Sequence, residues 1–384
     1  MNMIYMDNAA TSFPKPETVY RAIDHFNRNL GGNPGRGASQ TSLKAGCIVV
    51  EARDRLASLF NISDSSRVAF MANITEALNT ALRGVLKPGD HVITTKMEHN
   101  SVARPLFALQ HQGVEWTAVN CMPDGSLDPY EISRAIRPNT RAICMLHASN
   151  VTGTIMPIQE VGEIAKKNQI IFIVDSAQTA GSIPIDVKEN HIDILTFTGH
   201  KSLFGPQGTG GIYIRPGIRL NPLKFGGTGS ISESLEQPDF MPDCLESGTL
   251  NTPGIAGLLA GVNYIMNNGL DTIESHAEKI GRMLIEGLLE IPGIILYGDI
   301  GAKKRMPVVS FNIKGFDCGQ VSMCLEHDYG IITRSGLHCA PLAHKTIGTL
   351  ETGTCRLSCG LFNDEEEVKL VLQALNNTAR SRKM

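Results

Sequence analysis

Two residues that could perform covalent chemistry follow apolar runs typical of buried strands. Asp175 comes directly after Ile170–Val174, and Lys201 comes shortly after Ile194–Phe197. A lysine at the end of a buried strand loses hydration, which lowers its pKa and lets its amine form a Schiff base. A carboxylate on a neighbouring strand can pair with a pyridinium nitrogen and keep that ring cationic. Alone, Lys201 would more often be a solvated loop residue, but together with Asp175 and Gln178 it predicts a pyridoxal phosphate site.

Residues after other predicted strands could complete such a site. Ile74 and Thr75 open a predicted helix, where backbone amides and the Thr75 hydroxyl could hold a phosphate. An ordinary helix N-cap explains that segment equally well. His99 could stack on a pyridine ring, although a lone histidine is more often structural. Asn150 could reach the ring hydroxyl or the substrate.

A second group of reactive residue types surrounds Cys339. Arg334 and His338 lie close to it in the chain, and cationic neighbours lower a thiol's pKa and expose the reactive thiolate. Arg356, on a later predicted strand, has a planar guanidinium that could bind a carboxylate through two parallel hydrogen bonds. Two other interpretations stay open, namely a structural thiol and a zinc site. The candidate zinc ligands are His338, Cys339, His344, Cys355 and Cys359, but no C-x-x-C pair supports them.

Two phosphate-binding motifs are excluded by their spacing. A P-loop needs Gly-Lys-Ser/Thr, but His200 separates Gly199 from Lys201. The glycines at positions 208, 210 and 211 do not complete G-x-G-x-x-G, and no strand leads into a helix there.

Short apolar runs alternate with helical segments from about residue 68 to residue 215, which predicts a mostly parallel seven-stranded sheet with helices on both faces. The predicted strands are Val68–Met71, His91–Thr95, Glu115–Val119, Ala142–His147, Ile170–Asp175, Ile194–Phe197 and Gly211–Ile214. The predicted helices between them are Thr75–Arg83, Asn100–Gln112, Asp128–Ile136 and Gln159–Lys167. In such sheets ligands bind beyond the carboxyl ends of the strands, where Asp175 and Lys201 are expected.

The chain after residue 254 predicts a smaller α+β domain. A long helical stretch from Ile255 to Leu289 is followed by predicted strands and helices in turn. The strands are Val308–Ile313, Ile331–Arg334 and Cys355–Cys359, and one helix opens at Asp317. Asn363 is the expected N-cap of the last helix, with Glu366 at the capping-box position. We expect a large domain of residues 15–254 and a small domain of residues 1–14 and 255–384.

Composition narrows the class of protein. The 384 residues carry a net charge of −3, which gives no basic field for nucleic acid. No apolar run is long enough for a membrane span, and no signal peptide is visible. Nine cysteines, an odd number, favour reduced thiols in the cytoplasm over a disulfide framework.

Across nearly its whole length the chain resembles the cysteine desulfurase and selenocysteine lyase family, of the class V aminotransferase fold among the fold-type I pyridoxal phosphate enzymes. The segments that carry the resemblance are residues 6–11 (MDNAAT), 97–99 (MEH), 149–154 (SNVTGT), 175–178 (DSAQ), 199–201 (GHK) and 247–252 (SGTLNT). The form R-x-G-x-H-C-A around Cys339 resembles the second desulfurase group, which has a short catalytic loop.

The resemblance implies a role for each matching residue. Lys201 binds the cofactor covalently, Asp175 holds the ring nitrogen, Gln178 contacts the ring hydroxyl and His99 stacks on the ring. The phosphate is held by Thr75, Thr198, His200 and, from a second subunit, Thr249. Asn150, Arg334, Arg356 and Arg36 line the substrate site, and Cys339 takes the sulfur.

Three positions depart from the family pattern. Leu337 stands where the second group usually has a histidine, and a leucine side chain cannot relay a proton. Ile74 replaces a usual threonine, which leaves its backbone amide as the phosphate contact. The segment around Arg36 replaces a His-Arg-Gly type of segment but keeps a basic group.

We therefore expect a homodimeric, pyridoxal phosphate-dependent enzyme that converts L-cysteine to L-alanine, leaves the sulfur on Cys339 as a persulfide for an acceptor protein, and also acts on L-selenocysteine. One alternative is another class V transaminase, racemase or lyase in which Cys339 is incidental. The other is a sulfur- or metal-carrying interaction protein built on an inactive scaffold.

Overall fold

A computed structural model describes residues 3–35 and 39–381 of the chain, which form three β-sheets flanked by helices. The strands are β1 (Ile4–Tyr5), β2 (Val68–Met71), β3 (His91–Thr95), β4 (Glu115–Val119), β5 (Thr140–Leu146), β6 (Ile171–Asp175), β7 (Ile194–Thr198), β8 (Gly210–Ile214), β9 (Ile294–Tyr297), β10 (Val308–Ile313), β11 (Ile331–Ile332), β12 (Arg334–Gly336) and β13 (Thr354–Ser358).

The largest sheet has seven strands in the order β2-β8-β7-β6-β5-β3-β4. The pairs from β7 through β4 are parallel, and β8 runs antiparallel to both of its neighbours. This confirms the predicted α/β fold, and each strand predicted in this region lies within two residues of its observed bounds. Four of the seven strands, β2, β3, β7 and β8, are buried along their whole length, which explains why their sequences read as continuous apolar runs.

Helices cover both faces of this sheet and continue into the second half of the chain. They are α1 (Glu17–His25), which continues into a π-helical turn (Phe26–Leu30), α2 (Gln40–Leu59), α3 (Ile74–Val85), α4 (Asn100–Gln110), α5 (Pro129–Ala135), α6 (Ile158–Lys167), α7 (Thr252–Asn268), α8 (Leu270–Leu289), α9 (Cys318–Tyr329), α10 (Pro341–Thr346) and α11 (Glu365–Arg380). A 3-10 turn (Ser65–Arg67) precedes β2. The sequence predictions did not include α1, α2 and α10.

Helix α7 packs against α1 and α2 and contributes Leu258 and Val262 to the core beneath the large sheet. The close approach depends on Gly261, because a Cβ there would lie 2.3 Å from the carbonyl oxygen of Leu203. Helix α8 instead contributes Leu284 and Leu288 to the core of the smaller sheet. The domain bounds at 14/15 and 254/255 stay predictions.

The smaller part contains a four-stranded antiparallel sheet, β12-β13-β10-β9, and a parallel pair of β1 with β11. The prediction of one strand over Ile331–Arg334 is wrong. Ile331 and Ile332 pair with the N-terminal strand β1, whereas Arg334 begins β12, which pairs with β13 in a different sheet. The chain therefore changes sheets immediately before the loop that carries Cys339.

The predicted N-cap of the last helix is also wrong. The cap is Asp364, whose side chain accepts a hydrogen bond from the amide of Glu367, so Glu366 is not at the capping-box position. Asn363 instead accepts from the amide of Gly360 at 2.7 Å and makes a tertiary contact by donating to the carbonyl oxygen of Tyr5 at 3.0 Å. It ties the N-terminal segment to this helix.

Among the helices described, none is long and apolar enough to cross a membrane.

Candidate active site

Strands β6 and β7 bring the two residues predicted for covalent chemistry to the same edge of the sheet. Asp175 is the last residue of β6 and pairs in register with Thr196 of β7, and Lys201 follows three residues after the end of β7. Burial lowers the pKa of Lys201 to about 8, and the charges of Arg356 and Arg334 act in the same direction, while Asp175 opposes them. The amine is therefore partly neutral near physiological pH, as a covalent cofactor link requires.

The carboxylate of Asp175 is buried, and it accepts a hydrogen bond from the amide of Ala177 at 2.9 Å. Burial raises its pKa, which the Ala177 hydrogen bond and the charge of Lys201 oppose. A cationic ring nitrogen placed here would stabilise the ionised carboxylate. Gln178 is also buried, and its Nε2 donates to the carbonyl oxygen of Ala9 at 3.1 Å, which links this edge to the N-terminal segment.

His99 is fixed at the start of α4 by a short chain of hydrogen bonds. Its Nδ1 accepts from the amide of Ser101 at 3.0 Å and lies 2.9 Å from the Ser101 hydroxyl. That hydroxyl lies 2.8 Å from the hydroxyl of Thr75. Burial and the charge of Lys201 lower the pKa of His99 to about 4, so the ring is neutral at physiological pH, and the Ser101 bond assigns its proton to Nε2.

Two buried polar atoms at the end of β7 and just beyond it lack a hydrogen-bond partner, Oγ1 of Thr198 and Nδ1 of His200. Such atoms are rare in folded proteins and indicate a missing partner. Thr75 stands in the first turn of α3, where the helix leaves its amides free and favours an anion. A Cβ at Gly199 would lie 2.1 Å from Oγ1 of Thr209, so the backbone between Thr198 and His200 is tightly held. These residues fit a phosphate group, and Asp175 and Lys201 fit the rest of a pyridoxal cofactor.

Arg356, in the middle of β13, is a fully buried cation. One guanidinium nitrogen donates to the carboxylate of Asp7 at 2.5 Å and another donates to the carbonyl oxygen of Asn150 at 2.9 Å, while Nε has no partner. Burial lowers the pKa of Arg356, and Asp7 opposes that shift. The group therefore keeps unused donor capacity for a substrate carboxylate.

Arg334 stands directly opposite Arg356 in the β12–β13 pair. Its guanidinium donates to Sγ of Cys339 at 3.5 Å. Cys339 is exposed, and its carbonyl oxygen accepts from the amide of Asn100 at 2.8 Å. The thiol therefore lies next to a permanent cation, on the loop that follows β12 of the small sheet and contacts the start of α4.

The expectation that His338 supplies a second cation to this thiol is wrong. The ring is 3% exposed, and burial together with Arg356 lowers its pKa to about 2, so it stays neutral. Cys355 and Cys359 are buried, and burial raises the pKa of each to about 12. In the part of the chain that the structure describes, no group of three or more residues could hold a metal, which argues against the zinc interpretation.

Not all of the predicted residues converge here. Asn150 is buried and its Nδ2 donates to the carbonyl oxygen of His338 at 2.8 Å, so it holds the Cys339 loop. The side chain of Ile74 is buried, which leaves its amide as the polar group. Thr249 is exposed and lines a cavity of about 170 Å³ with Lys224. Arg36 lies outside the described residues.

Sequence reasoning missed two residues that orient this site. Asp7 pairs with Arg356 across 349 positions, and Ser101 joins His99 to Thr75. Asp7 belongs to the N-terminal segment that carries the family resemblance, and Ser101 is a serine in the first turn of a helix. Those signals mark the positions, but only the fold reveals their partners.

Comparison with known proteins identifies the family. The family model for class V aminotransferases matches residues 4–371. The chain belongs to the class V aminotransferase family, whose members depend on pyridoxal phosphate.

Similar proteins within this family are named cysteine desulfurases. A probable cysteine desulfurase of Methanothermobacter thermautotrophicus is 35% identical, over 98% of this chain and 94% of the relative. The cysteine desulfurase IscS of Clostridium botulinum is 31% identical, over 99% and 95%. The apo structure of a cysteine desulfurase from Thermococcus onnurineus NA1 superposes with a TM-score of 0.93 at 34% identity, covering 98% of this chain and 95% of that one. The assignment to the second desulfurase group stays a prediction.

Proposed function

We propose that this chain is a pyridoxal phosphate-dependent cysteine desulfurase in which Cys339 accepts the sulfur. The observation that carries the proposal is the position of the exposed Cys339 thiol, 3.5 Å from the Arg334 guanidinium. Arg334 is in turn opposite Arg356, whose charge is one of those that lower the pKa of Lys201. One site therefore combines a cofactor lysine, a carboxylate-binding arginine and a nucleophile.

The residues that would hold the cofactor are distributed over the strand ends. Lys201 would bind it covalently, Asp175 would pair with the ring nitrogen, and the neutral ring of His99 would stack on the pyridine face. The partnerless atoms of Thr198 and His200 would bind the phosphate, together with Thr75, the amide of Ile74 and, from a second subunit, Thr249. Gln178 would contact the ring hydroxyl, and Asn150 would contact the ring hydroxyl or the substrate. When bound, pyridoxal phosphate supplies an aldehyde for amines and a ring that accepts an electron pair from the substrate.

The remaining groups act on the amino acid. Arg356 would bind its carboxylate, and the partly neutral amine of Lys201 can take the proton from Cα. The Cys339 thiolate attacks the substrate sulfur, so that an S–S bond forms and the Cβ–S bond breaks. The electron pair of that bond stays on the substrate carbon, which is protonated and leaves as L-alanine. The sulfur remains on Cys339 as a persulfide.

Several features of the working enzyme follow from this proposal. We infer a homodimer, because Thr249 is exposed and its segment resembles one that completes the phosphate site of a second subunit. A persulfide on an exposed cysteine suits a sulfur-acceptor protein. The free cysteines throughout the described chain support a reducing, cytoplasmic location. Arg36 is proposed to line the entrance to the site.

L-Selenocysteine is proposed as a second substrate. Its carboxylate and amine match those of cysteine, so Arg356 and Lys201 would bind it in the same way. A selenol is a better leaving group than a thiol, so its removal depends less on attack by Cys339.

The test is product analysis with both amino acids. We expect wild-type protein to release alanine and sulfide from cysteine in the presence of a reductant, and Cys339→Ser to lose nearly all of that activity. The Cys339→Ser protein should keep measurable activity on selenocysteine. Release of alanine from cysteine by Cys339→Ser at the wild-type rate would favour a lyase in which Cys339 is incidental. Absence of any cofactor absorbance in wild-type protein would favour an inactive scaffold.

A further inference from the structure

The loop that carries Cys339 has a backbone conformation that residues with side chains rarely adopt. The φ angles of His338 and Cys339 are 47° and 58°, so two consecutive residues lie in the left-handed region. Neither is glycine, and for such residues this region costs free energy that surrounding contacts must offset. The contacts that hold this loop therefore decide where the thiol points.

Two of these contacts are made by the loop backbone. The amide of Asn100 donates to the carbonyl oxygen of Cys339 at 2.8 Å, and Nδ2 of Asn150 donates to the carbonyl oxygen of His338 at 2.8 Å. Within the loop, the amide of Ala340 donates to the carbonyl oxygen of Leu337 at 2.9 Å. The first two bonds tie the loop to the start of α4 and to the segment after β5, next to the large sheet.

The imidazole of His338 ties the same loop to the small sheet. Its Nε2 lies 3.1 Å from Oγ1 of Thr354, the first residue of β13, two positions before Arg356. The ring also packs 5.4 Å from the ring of His344, which is 0% exposed and hydrogen-bonded to Thr349 at 2.7 Å. Burial lowers the pKa of both histidines, so two neutral rings pack together.

The adjacent residues point in opposite directions. His338 is buried whereas Leu337 and Cys339 are exposed, so the turn at His338 places its ring inside and the thiol outside. On the outer side Sγ of Cys339 contacts Arg334 in β12. Gly336, two positions later in β12, pairs with Thr354 of β13. The hydrogen bond between His338 and Thr354 therefore fixes the loop relative to the strand that carries Arg334.

We propose that His338 is a positioning residue for sulfur transfer, and that its buried imidazole, held by Thr354 and packed on His344, keeps the Cys339 thiol beside Arg334. This inference rests on the proposed function of Cys339 as the sulfur acceptor. In this proposal His338 acts by positioning Cys339 and takes no part in proton transfer.

The experiment compares four variants of the holoenzyme. His338→Ala removes the anchor, Thr354→Val removes the same hydrogen bond from the other end with little change in shape, and His338→Gln keeps an amide near the position of Nε2. His91→Ala is the matched control, because His91 is also buried and bonded to two threonines, at 2.8 and 2.9 Å, but at the amino ends of the strands. Each variant is measured for kcat and KM with cysteine, for thermal stability, and for hydrogen exchange of the peptide that contains Cys339.

We expect His338→Ala and Thr354→Val to lower kcat by about tenfold to a hundredfold, because a thiol displaced by about 1 Å attacks poorly. KM should change little, since Arg356 and the cofactor residues keep their places. The loop amides should exchange faster in both variants. His338→Gln should recover kcat to within a few-fold of wild type. His91→Ala should lose stability while the loop exchange and kcat stay as in wild type.

Two results would overturn the proposal. One is a wild-type kcat in folded His338→Ala or Thr354→Val. The other is a loss of kcat in His338→Ala that Gln does not restore while loop exchange stays unchanged, because the imidazole would then act chemically. If His338→Ala does not fold, Thr354→Val and His338→Gln still decide the matter. If wild-type protein releases no alanine from cysteine, the proposed function fails, and loop exchange alone then tests whether His338 holds the loop.

Discussion

At the scale of single residues, the buried cation Arg356 depends on Asp7 for its charge balance. We expect Asp7→Asn to raise KM for cysteine by about tenfold or more, with a smaller effect on kcat, and to lower thermal stability. The physical reason is that removing one member of a buried ion pair leaves the other uncompensated, at a cost of about 3–5 kcal/mol. Steady-state kinetics and thermal unfolding measure the two effects.

The control for this prediction is Glu17→Gln. That substitution breaks an exposed ion pair with Arg21, which contributes at most about 1 kcal/mol, so kinetics and stability should stay unchanged. An unaltered KM in Asp7→Asn would mean that Asp7 does not orient Arg356 for the substrate.

The pKa of Lys201 predicts how the cofactor is attached. Only the neutral amine forms a Schiff base, and a pKa lowered to about 8 makes half of it neutral at pH 8. Below that pH the neutral fraction falls by about tenfold per unit. Mixing apo protein with pyridoxal phosphate and following absorbance should therefore give a rate that rises with pH and levels off above about 8.

A variant tests the cause of that shift. Asp175 raises the pKa of Lys201, so Asp175→Asn should move the midpoint of the rate profile to lower pH. A midpoint near the ordinary lysine value of 10.5 in wild-type protein would contradict the burial of the amine.

Part of the site could be predicted from residue type and position. Asp175 and Lys201 follow runs of apolar residues, directly and after three residues respectively, and that local signal predicts that both lie at the same edge of the sheet. The ring of His338 could not be placed in this way, because a histidine beside a reactive cysteine resembles a charged neighbour until burial is known. The pairing of Asp7 with Arg356 is a tertiary contact that no local pattern reports.

At the scale of elements, the turn after β7 is held by a glycine. A Cβ at Gly199 would lie 2.1 Å from Oγ1 of Thr209 and 3.3 Å from Cδ1 of Leu258. Gly199→Ala should therefore shift the backbone that carries Thr198 and His200 and weaken pyridoxal phosphate binding by about tenfold or more. Titration of apo protein with the cofactor measures the affinity.

The matched control for this turn is Gly46→Ala in α2. Space is open around that position, and alanine favours a helix over glycine by about 1 kcal/mol, so stability should rise and cofactor affinity should not change. Equal cofactor affinity in Gly199→Ala and wild type would mean that the turn does not position the phosphate contacts.

The sequence predicts helices and strands well where the hydrophobic pattern of a segment determines them. It predicts them poorly where pairing with a distant strand determines them. Most strands of the large sheet are buried on both faces, so their sequences identify them almost to the residue. Strand β12 is short and only partly buried, and its pairing with β13 rather than with β1 depends on the fold. Asn363 has the side chain of a cap but bonds to distant backbone, which a local motif does not report.

At the scale of the whole molecule, Thr249 predicts that active sites are shared between two subunits. A Lys201→Ala chain loses the site that contains its own position 201, but it still supplies Thr249 to its partner. A Thr249→Val chain keeps Lys201 for its own site, but it supplies no Thr249 to its partner. If Thr249 contributes to the partner's site, a mixture of the two variants should regain activity as hybrid dimers form, because one intact site results. Activity of the mixture is compared with that of each variant, and sedimentation verifies the dimer.

The control mixture combines Lys201→Ala with Asp175→Asn. Both residues belong to one site in one chain, so no hybrid contains an intact site and no activity should return. Recovery in neither mixture, or an active monomer at the assay concentration, would contradict a shared site.

The central claim is that one particular thiol of this molecule receives the sulfur. Nine cysteines are present, and Cys339 is the one that lies beside Arg334 at the strand ends. Holoenzyme is allowed a single turnover with L-cysteine, free thiols and persulfides are alkylated, and peptides are analysed by mass spectrometry. We predict one added sulfur on the peptide that contains Cys339 and unmodified thiols at Cys355 and Cys359. Sulfur on a different cysteine, with Cys339 unmodified, would contradict the account.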